Sequence, residues 1–126
     1  MSTPEQQISA AIQEAIAENE VLLFMKGTPD APRCGFSART VAALEAVGAP
    51  FAAVDILPDP RIRQELSALS NWPTIPQLFV RGELVGGADI VAEMYETGEL
   101  AEAIGVEQPA EAAEPEAPLT IENRLS

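Results

Sequence analysis

Apolar residues near the N-terminus recur every three or four positions, a spacing typical of an amphipathic helix. The residues in this pattern are Ile8, Ala11, Ile12, Ala15 and Ile16. We therefore predict a helix over residues 5–18, with Thr3 as its N-terminal cap. The continuous apolar run Val21–Met25 follows and predicts a buried strand.

The middle of the chain alternates between breakers and apolar runs. Residues 26–33 contain glycine and two prolines and predict a loop. A helix follows over 36–47 and stops at Gly48. The run 51–56 predicts a second strand. After it, a helix is predicted over 59–69, with Asp59 as N-cap and Pro60 in its first position.

Two apolar runs that flank Arg81-Gly82 predict a tight antiparallel hairpin over 76–80 and 83–86. Asp89 is the predicted cap of a helix over 90–96, and a last short helix covers 99–104. The order of elements is thus α-β-α-β-α-β-β-α-α. A helical crossover makes the first two strands parallel. The expected fold is an α/β domain with a small mixed four-stranded sheet flanked by helices.

The composition changes near residue 107. Residues 1–106 can form a core, whereas 107–126 are rich in Ala, Glu and Pro and have few large apolar side chains. Such a segment buries too little surface to offset the entropy of ordering, so we predict a disordered acidic tail. Near its end, Leu119, Ile121 and Leu125 form at most a weakly adhesive patch.

Charge and composition exclude several classes of function. The formal net charge is −13, and only seven residues are basic, which argues against binding to nucleic acid or to an anionic membrane. The absence of histidine excludes His-assisted catalysis and His-ligated metal. The N-terminus does not resemble a signal peptide, and a lone cysteine suits a reducing compartment. We therefore expect a cytoplasmic protein.

The candidate for chemistry is that cysteine, Cys34, in the run Cys34-Gly35-Phe36-Ser37. It lies between the first strand and the second helix, where free backbone N–H groups and the helix dipole favour an anion. We expect a lowered thiol pKa, so that part of the sulfur is thiolate, the form that attacks disulfides and ligates metals. Ser37 stands where a Cys-X-X-Cys pair would have its second thiol, so this chain cannot shuttle electrons alone.

Several spaced motifs together resemble the monothiol glutaredoxins of the CGFS type. They are Lys26-Gly27-Thr28, Cys34-Gly35-Phe36-Ser37, Trp72-Pro73-Thr74-Ile75-Pro76 and Gly86-Gly87-Ala88-Asp89. The resemblance covers roughly residues 5–105 and leaves out the tail. It implies a thioredoxin-like fold, a glutathione site, and a [2Fe–2S] cluster shared by two protomers.

The resemblance also implies roles for individual residues in glutathione binding. It makes Ile75-Pro76 a cis bond that presents the Ile75 backbone to the tripeptide, beside Thr74. Gly87, Ala88 and Asp89 would receive the γ-glutamyl end, through helix amides and the Asp89 carboxylate. The glycine carboxylate would be bound by two cations, Lys26 and Arg63. Many relatives have a cysteine where this chain has Ala88, so Cys34 lacks a disulfide partner within the protomer.

A [2Fe–2S] cluster takes four ligands, and one chain supplies one thiolate, from Cys34. The resemblance implies a homodimer in which two glutathione thiols complete the set. The leading hypothesis is an iron–sulfur carrier that delivers clusters to acceptor proteins, with BolA-like proteins as possible partners by family analogy. The alternative is a glutathione-dependent thiol–disulfide oxidoreductase, because a second glutathione can resolve the mixed disulfide. A protein-binding adaptor without a cluster has only the acidic tail in its favour.

Two neighbours of Cys34 admit a structural and a functional interpretation. Phe36 is either an ordinary core residue or a shield over the cluster. Ser37 is expected to satisfy an N–H group at the helix N-terminus rather than to act in catalysis.

Overall fold

A computed structural model describes residues 3–106. Its elements in chain order are α1 (Pro4–Glu18), β1 (Val21–Met25), β2 (Gly27–Thr28), β3 (Ala31–Pro32), α2 (Gly35–Ala46), β4 (Ala52–Asp55), α3 (Pro60–Ser70), β5 (Gln77–Val80), β6 (Glu83–Gly86), α4 (Ala88–Thr97) and α5 (Glu99–Ile104). The predicted order of helices and main strands is confirmed. The acidic tail predicted for 107–126 lies outside the described residues.

Four strands form one mixed sheet in the order β4-β1-β5-β6. The strands β1 and β4 are parallel, as the helical crossover α2 between them predicts, and the pairs β1–β5 and β5–β6 are antiparallel. The β5–β6 connection is the predicted two-residue turn, with φ of 49° at Arg81 and 84° at Gly82. Positive φ at both positions is the geometry that matches the twist of a hairpin.

The sheet separates two apolar layers, and β1 contributes to both because successive side chains of a strand point to opposite faces. Leu23 and Met25 pack with residues of α2, α4 and α5 on one face. Leu22 and Phe24 pack with α1 and α3 on the other. All five β1 residues are buried, which explains why this strand reads as a continuous apolar run.

The predicted helix caps on α1 and α3 are confirmed. The Thr3 hydroxyl accepts a hydrogen bond from the Gln6 N–H, and the Gln6 side chain accepts one from the Thr3 N–H, at 3.0 and 2.9 Å. This reciprocal pair is a capping box. The Asp59 carboxylate accepts from the Arg61 N–H at 3.0 Å, and Pro60 begins α3.

Two local predictions are wrong. Residues 26–33 are not wholly loop, since β2 and β3 pair as a miniature antiparallel hairpin, Gly27 opposite Pro32. Asp89 does not cap α4. The helix begins at Ala88 with Gly87 as N-cap, and Asp89 lies in its first turn. The first turn also favours carboxylates, so an acidic residue there does not fix the cap position.

None of the helices within residues 3–106 is long and apolar enough to span a bilayer.

Candidate functional site

Cys34 is the N-cap residue of α2 and has extended backbone geometry, with φ −152° and ψ 137°. Its side chain is half-buried. The backbone N–H of Ser37, in the first turn of α2, is the main cause of a pKa below the ordinary value for a thiol. Burial is the second-largest effect on this pKa and raises it, whereas the Phe36 N–H, the Lys26 charge and the Ser37 hydroxyl each lower it by less. The predicted direction of the pKa shift at Cys34 is therefore confirmed, and a lowered pKa favours the thiolate.

Ser37 connects the helix that carries the thiol to the end of β1. Its side chain is fully buried, and its hydroxyl accepts a hydrogen bond from the Lys26 N–H at 3.1 Å. The expectation that Ser37 satisfies an N–H group of its own helix is wrong, because the N–H it satisfies belongs to the neighbouring strand end. The same hydroxyl also lowers the pKa of Cys34 slightly. Ser37 is thus part of the local scaffold of the thiol.

Phe36 is not a core residue, because 53% of it is exposed. The Arg39 guanidinium carbon lies 5.1 Å from the centre of its ring, within the range of a cation–π contact. Both residues line an open pocket of about 470 Å³ together with Cys34 and Gly35. The interpretation of Phe36 as core is therefore wrong, and its ring forms one wall beside the thiol.

Phe36 also lines a second, smaller groove. Its volume is about 160 Å³, and its remaining walls come from the segment before β5 and the start of α4: Thr74, Ile75, Pro76, Ala88 and Asp89. The Ile75-Pro76 peptide bond is cis, as the family resemblance implies. Within residues 3–106, no hydrogen bond engages the Ile75 backbone. Its N–H and C=O are thus available to an extended peptide, which can add to such a segment as a further strand.

The two glycines before α4 differ in what lies next to them. A Cβ at Gly86 would come within 2.7 Å of the Ile90 side chain, so this glycine makes room for the protein's own helix. A Cβ at Gly87 would lie 3.3 Å from both the Pro76 carbonyl oxygen and the Trp72 Nε1. Gly87 therefore allows the start of α4 to approach the cis-proline segment closely, which keeps the walls of the groove together.

The two cations assigned to the site occupy different positions. Lys26 directly follows β1, and its charge acts on Cys34. Arg63 is exposed on α3, and it lines neither the groove nor the Cys34 pocket. Within residues 3–106, the side chain of Arg63 forms no ion pair or hydrogen bond, so it is free to turn toward a ligand.

Metal ligands are scarce in the described part of the chain. Residues 3–106 contain no group of three or more Cys, Asp or Glu side chains arranged to hold a metal, and the whole sequence has no histidine. Cys34 offers one accessible sulfur with thiolate character. A thiolate-ligated group at this site would need donors from outside the chain.

Comparison with known proteins agrees with this geometry. The sequence profile of the glutaredoxin family matches residues 21–85. Glutaredoxin 4 of Escherichia coli K12 is 62% identical over 93 residues, which cover 74% of this chain and 81% of the relative. This chain belongs to the glutaredoxin family. A probable monothiol glutaredoxin of Legionella pneumophila, GrlA, is 62% identical over 79 residues, covering 63% of this chain and 89% of that protein. With one cysteine in its sequence, this glutaredoxin is of the monothiol kind.

Solved structures confirm the thioredoxin-like glutaredoxin fold. The solution structure of reduced apo GrxS14 from poplar superposes with a TM-score of 0.70 at 44% identity, covering 78% of this glutaredoxin and 90% of that chain. A buckwheat glutaredoxin, solved in complex with glutathione, superposes with a TM-score of 0.72 at 21% identity, covering 82% and 94%. The second similarity concerns the fold alone.

Sequence reasoning overlooked one residue near the site, Asp55, and it named Trp72 only as part of a motif. Asp55 ends β4, and its carboxylate oxygen Oδ1 accepts hydrogen bonds from the Gly27 N–H at 2.9 Å and the Leu57 N–H at 3.0 Å. Trp72 has a buried Nε1 without a hydrogen-bond partner among the described residues, facing Gly87. A polar residue at the end of a strand was a weak signal for Asp55. The sequence carries no comparable signal for the orientation of the indole.

Proposed function

We propose that this glutaredoxin binds glutathione and carries a [2Fe–2S] cluster between two protomers for delivery to acceptor proteins. One observation supports this most directly. The single thiol has thiolate character and stands at a helix N-terminus beside the groove formed by the cis-proline segment and the start of α4. Phe36 borders both the thiol pocket and the groove, so a ligand in the groove can present its own sulfur next to Cys34.

Glutathione would occupy the groove as an extended peptide. The Ile75 backbone, which has no hydrogen-bond partner within residues 3–106, suits pairing with the cysteinyl residue of the tripeptide, while Thr74 and Pro76 form the adjacent wall. The amides at the start of α4, at Gly87 and Ala88, favour the γ-glutamyl carboxylate. The Asp89 carboxylate complements the ammonium group of the same residue. That the buckwheat relative is solved with glutathione supports this choice of ligand.

The two cations would act at the other end of the tripeptide. Lys26, fixed at the end of β1, is placed near the sulfur and suits the glycine carboxylate. Arg63 would join it by turning from the exposed face of α3. In a protein with a net charge of −13, these two cations give an anionic tripeptide its favourable electrostatic contact.

The cluster would be the cargo of the carrier. A [2Fe–2S] cluster takes four ligands, usually thiolates. Cys34 of each protomer and the thiols of two glutathione molecules make four. Since two of these ligands are exchangeable small molecules, the cluster can pass to an acceptor without unfolding the carrier. Acceptor proteins and BolA-like partners belong to this proposal, as does a cytoplasmic location, which is in keeping with the bacterial glutaredoxin 4 relatives.

The test is anaerobic reconstitution of the full chain with iron, sulfide and glutathione. We expect visible cluster absorption, a mass in solution of two protomers, and loss of both when glutathione is omitted. Cys34→Ser should lose the absorption, whereas Glu102→Gln on α5 serves as the matched control and should keep it. Cluster absorption in Cys34→Ser equal to that of the wild type would refute the ligand assignment.

A second candidate function, removal of glutathione from protein thiols, is favoured by the lowered pKa of Cys34. The Cys34 thiolate would attack the glutathione sulfur of a mixed disulfide, forming a Cys34–glutathione disulfide and releasing the protein thiolate. A second glutathione thiolate would then attack this disulfide, releasing glutathione disulfide and regenerating the Cys34 thiolate. A coupled glutathione reductase assay separates the two functions. Rapid turnover without cluster binding favours the enzyme, and cluster binding with negligible turnover favours the carrier.

We also propose that residues 1–106 are the functional unit and that 107–126 are an appended acidic segment. The family match within 21–85 and the last element of the fold, α5, both lie inside this unit. A chain that ends at residue 106 should bind glutathione as the full chain does. A loss of binding on truncation would show that the acidic segment contributes to the site.

A further inference from the structure

The residues between Lys26 and Cys34 contain the hairpin β2–β3, and hydrogen bonds fix how this hairpin starts. The Lys26 N–H donates to the Ser37 hydroxyl at 3.1 Å, and the Lys26 carbonyl accepts from the Arg33 N–H at 2.9 Å. Both of these partners lie within the same stretch of chain, 26–37. The next amide, that of Gly27, donates instead to Asp55 Oδ1, at the end of β4.

The turn at Gly27 has little freedom. Its φ is +89°, a conformation that L side chains rarely adopt, and a Cβ there would come within 2.5 Å of the Ala31 carbonyl oxygen. The Gly27 amide therefore has a defined direction, and Asp55 lies where that amide points. Within residues 3–106, this is the one side-chain hydrogen bond that joins residues 26–33 to β4 or to the segment after it.

The Asp55 carboxylate joins two backbone segments that leave neighbouring parallel strands. Its Oδ1 accepts from Gly27, after β1, and from Leu57, after β4. Hydrogen bonds to a charged acceptor contribute more than those between neutral groups. Together with the backbone hydrogen bond from the Ile56 N–H to the Met25 carbonyl oxygen at 3.0 Å, this side chain helps to set the relative position of the two chain segments that lead to Lys26 and to α3, which carries Arg63.

We propose that Asp55 is a positioning residue for glutathione binding, acting through the Gly27 amide on the direction of the Lys26 side chain. Asp55 does not line the groove of Thr74–Pro76 or the Cys34 pocket, so it acts without touching the ligand. The proposal rests on the proposed function insofar as Lys26 contacts glutathione. It adds that the affinity for glutathione depends on the hydrogen bond from the Gly27 N–H to Asp55, which lies outside the groove.

Two substitutions at this position separate the hydrogen bond from the charge. Asp55→Ala removes the acceptor, whereas Asp55→Asn keeps an oxygen in place of Oδ1. Asn is expected to fit because the other oxygen, Oδ2, has no partner within residues 3–106, and because Asp55 borders an open cavity of about 320 Å³. The control is Thr3→Ala, at the start of α1. It also deprives a backbone N–H, that of Gln6, of the side-chain oxygen that accepts its hydrogen bond.

The experiment is an NMR titration of the ¹⁵N-labelled full chain with glutathione, with a thermal melt of each variant. Binding to the wild type is measured first. We expect Asp55→Ala to shift the Gly27 amide upfield and to weaken glutathione binding about tenfold, the effect of roughly 1.4 kcal/mol at one charged hydrogen bond. Asp55→Asn should stay within about threefold of the wild type. Thr3→Ala should lower the melting temperature without changing the affinity.

Each other outcome overturns the proposal in a recognisable way. If the wild type binds no glutathione, the proposed function fails, and the positioning role fails with it. If the wild type binds and Asp55→Ala binds equally well although its Gly27 amide has shifted, only the positioning role is refuted. If Thr3→Ala loses as much affinity as Asp55→Ala at a similar loss of stability, the effect is general destabilisation.

Discussion

The substitution Ser37→Ala probes the link between the thiol helix and β1. It removes the buried hydroxyl that accepts from the Lys26 N–H at 3.1 Å. A donor left without its partner in a buried position costs about 1–3 kcal/mol, and the small cavity left by the oxygen adds little. For a domain of about 100 residues, each kcal/mol lowers the melting temperature by roughly 4–8 °C. We therefore expect a clear loss of stability in denaturant unfolding.

The same substitution should have a small effect on the thiol. The largest cause of the lowered Cys34 pKa is the backbone N–H of Ser37, which alanine retains, and the hydroxyl makes the smallest contribution to that lowering. We expect the pKa to rise slightly and to stay below that of an ordinary cysteine, about 8.5. Ultraviolet absorbance of the thiolate as a function of pH measures it.

The two measurements together decide whether this reasoning is correct. Ser9→Ala is the matched control, because it removes a hydroxyl on the exposed side of α1 and should change stability by less than about 0.5 kcal/mol. A Ser37→Ala protein as stable as this control would refute the structural role of the hydroxyl. A thiol pKa restored to that of an ordinary cysteine would show that the hydroxyl, and not the backbone, holds the thiolate.

Three further outcomes follow from the site. Because the pKa of Cys34 is lower in the folded protein, the unfolded chain binds more protons at pH values between the folded pKa and about 8.5. The free energy of unfolding should therefore rise with pH in this window. Chemical denaturation at several pH values should show this rise in the wild type and not in Cys34→Ser. In Gly87→Ala, the new Cβ would lie 3.3 Å from the Pro76 carbonyl oxygen and from Trp72 Nε1. This variant should bind glutathione several-fold more weakly in calorimetry, with only a small change in melting temperature. Unchanged affinity would contradict the groove assignment. Arg63→Gln should raise the glutathione Kd and reduce its salt dependence, and an identical salt response would remove Arg63 from the site.

Elements with a clear period were predictable from the sequence, and so were those bounded by strong caps. The apolar run of β1, the N-cap at Thr3 and the hairpin turn at Arg81-Gly82 each follow from local chemistry, and the structure confirms all three. The mixed sheet follows from their order, because a helical crossover and a tight turn leave few arrangements. These features require no knowledge of distant contacts.

The errors come from positions where a distant partner decides the outcome. Residues 26–33 read as a loop because of their glycine and prolines, yet the short pairing of Gly27 with Pro32 and the hydrogen bond to Asp55 order them. Phe36 reads as core from its side chain alone, although it lies on the exposed side of α2. The roles of Arg63 and Asp89 in binding stay predictions, since their test needs the ligand.

Arg81 anchors the end of α5, the last element within residues 3–106. Its guanidinium donates to the carbonyl oxygens of Ala103 and Ile104, and pairs with Glu20 at 3.0 Å. The strands β1 and β5 are antiparallel, and Val21 at the start of β1 lies opposite Val80. The Arg81 anchor is therefore at the end of the sheet where β1 begins, whereas Cys34 follows the other end of β1. A fluorescent protein or an affinity handle fused directly after Val106 would therefore begin at the end of the sheet away from Cys34. Such fusions would allow the proposed pairing of two protomers to be followed without placing a bulky group near Cys34.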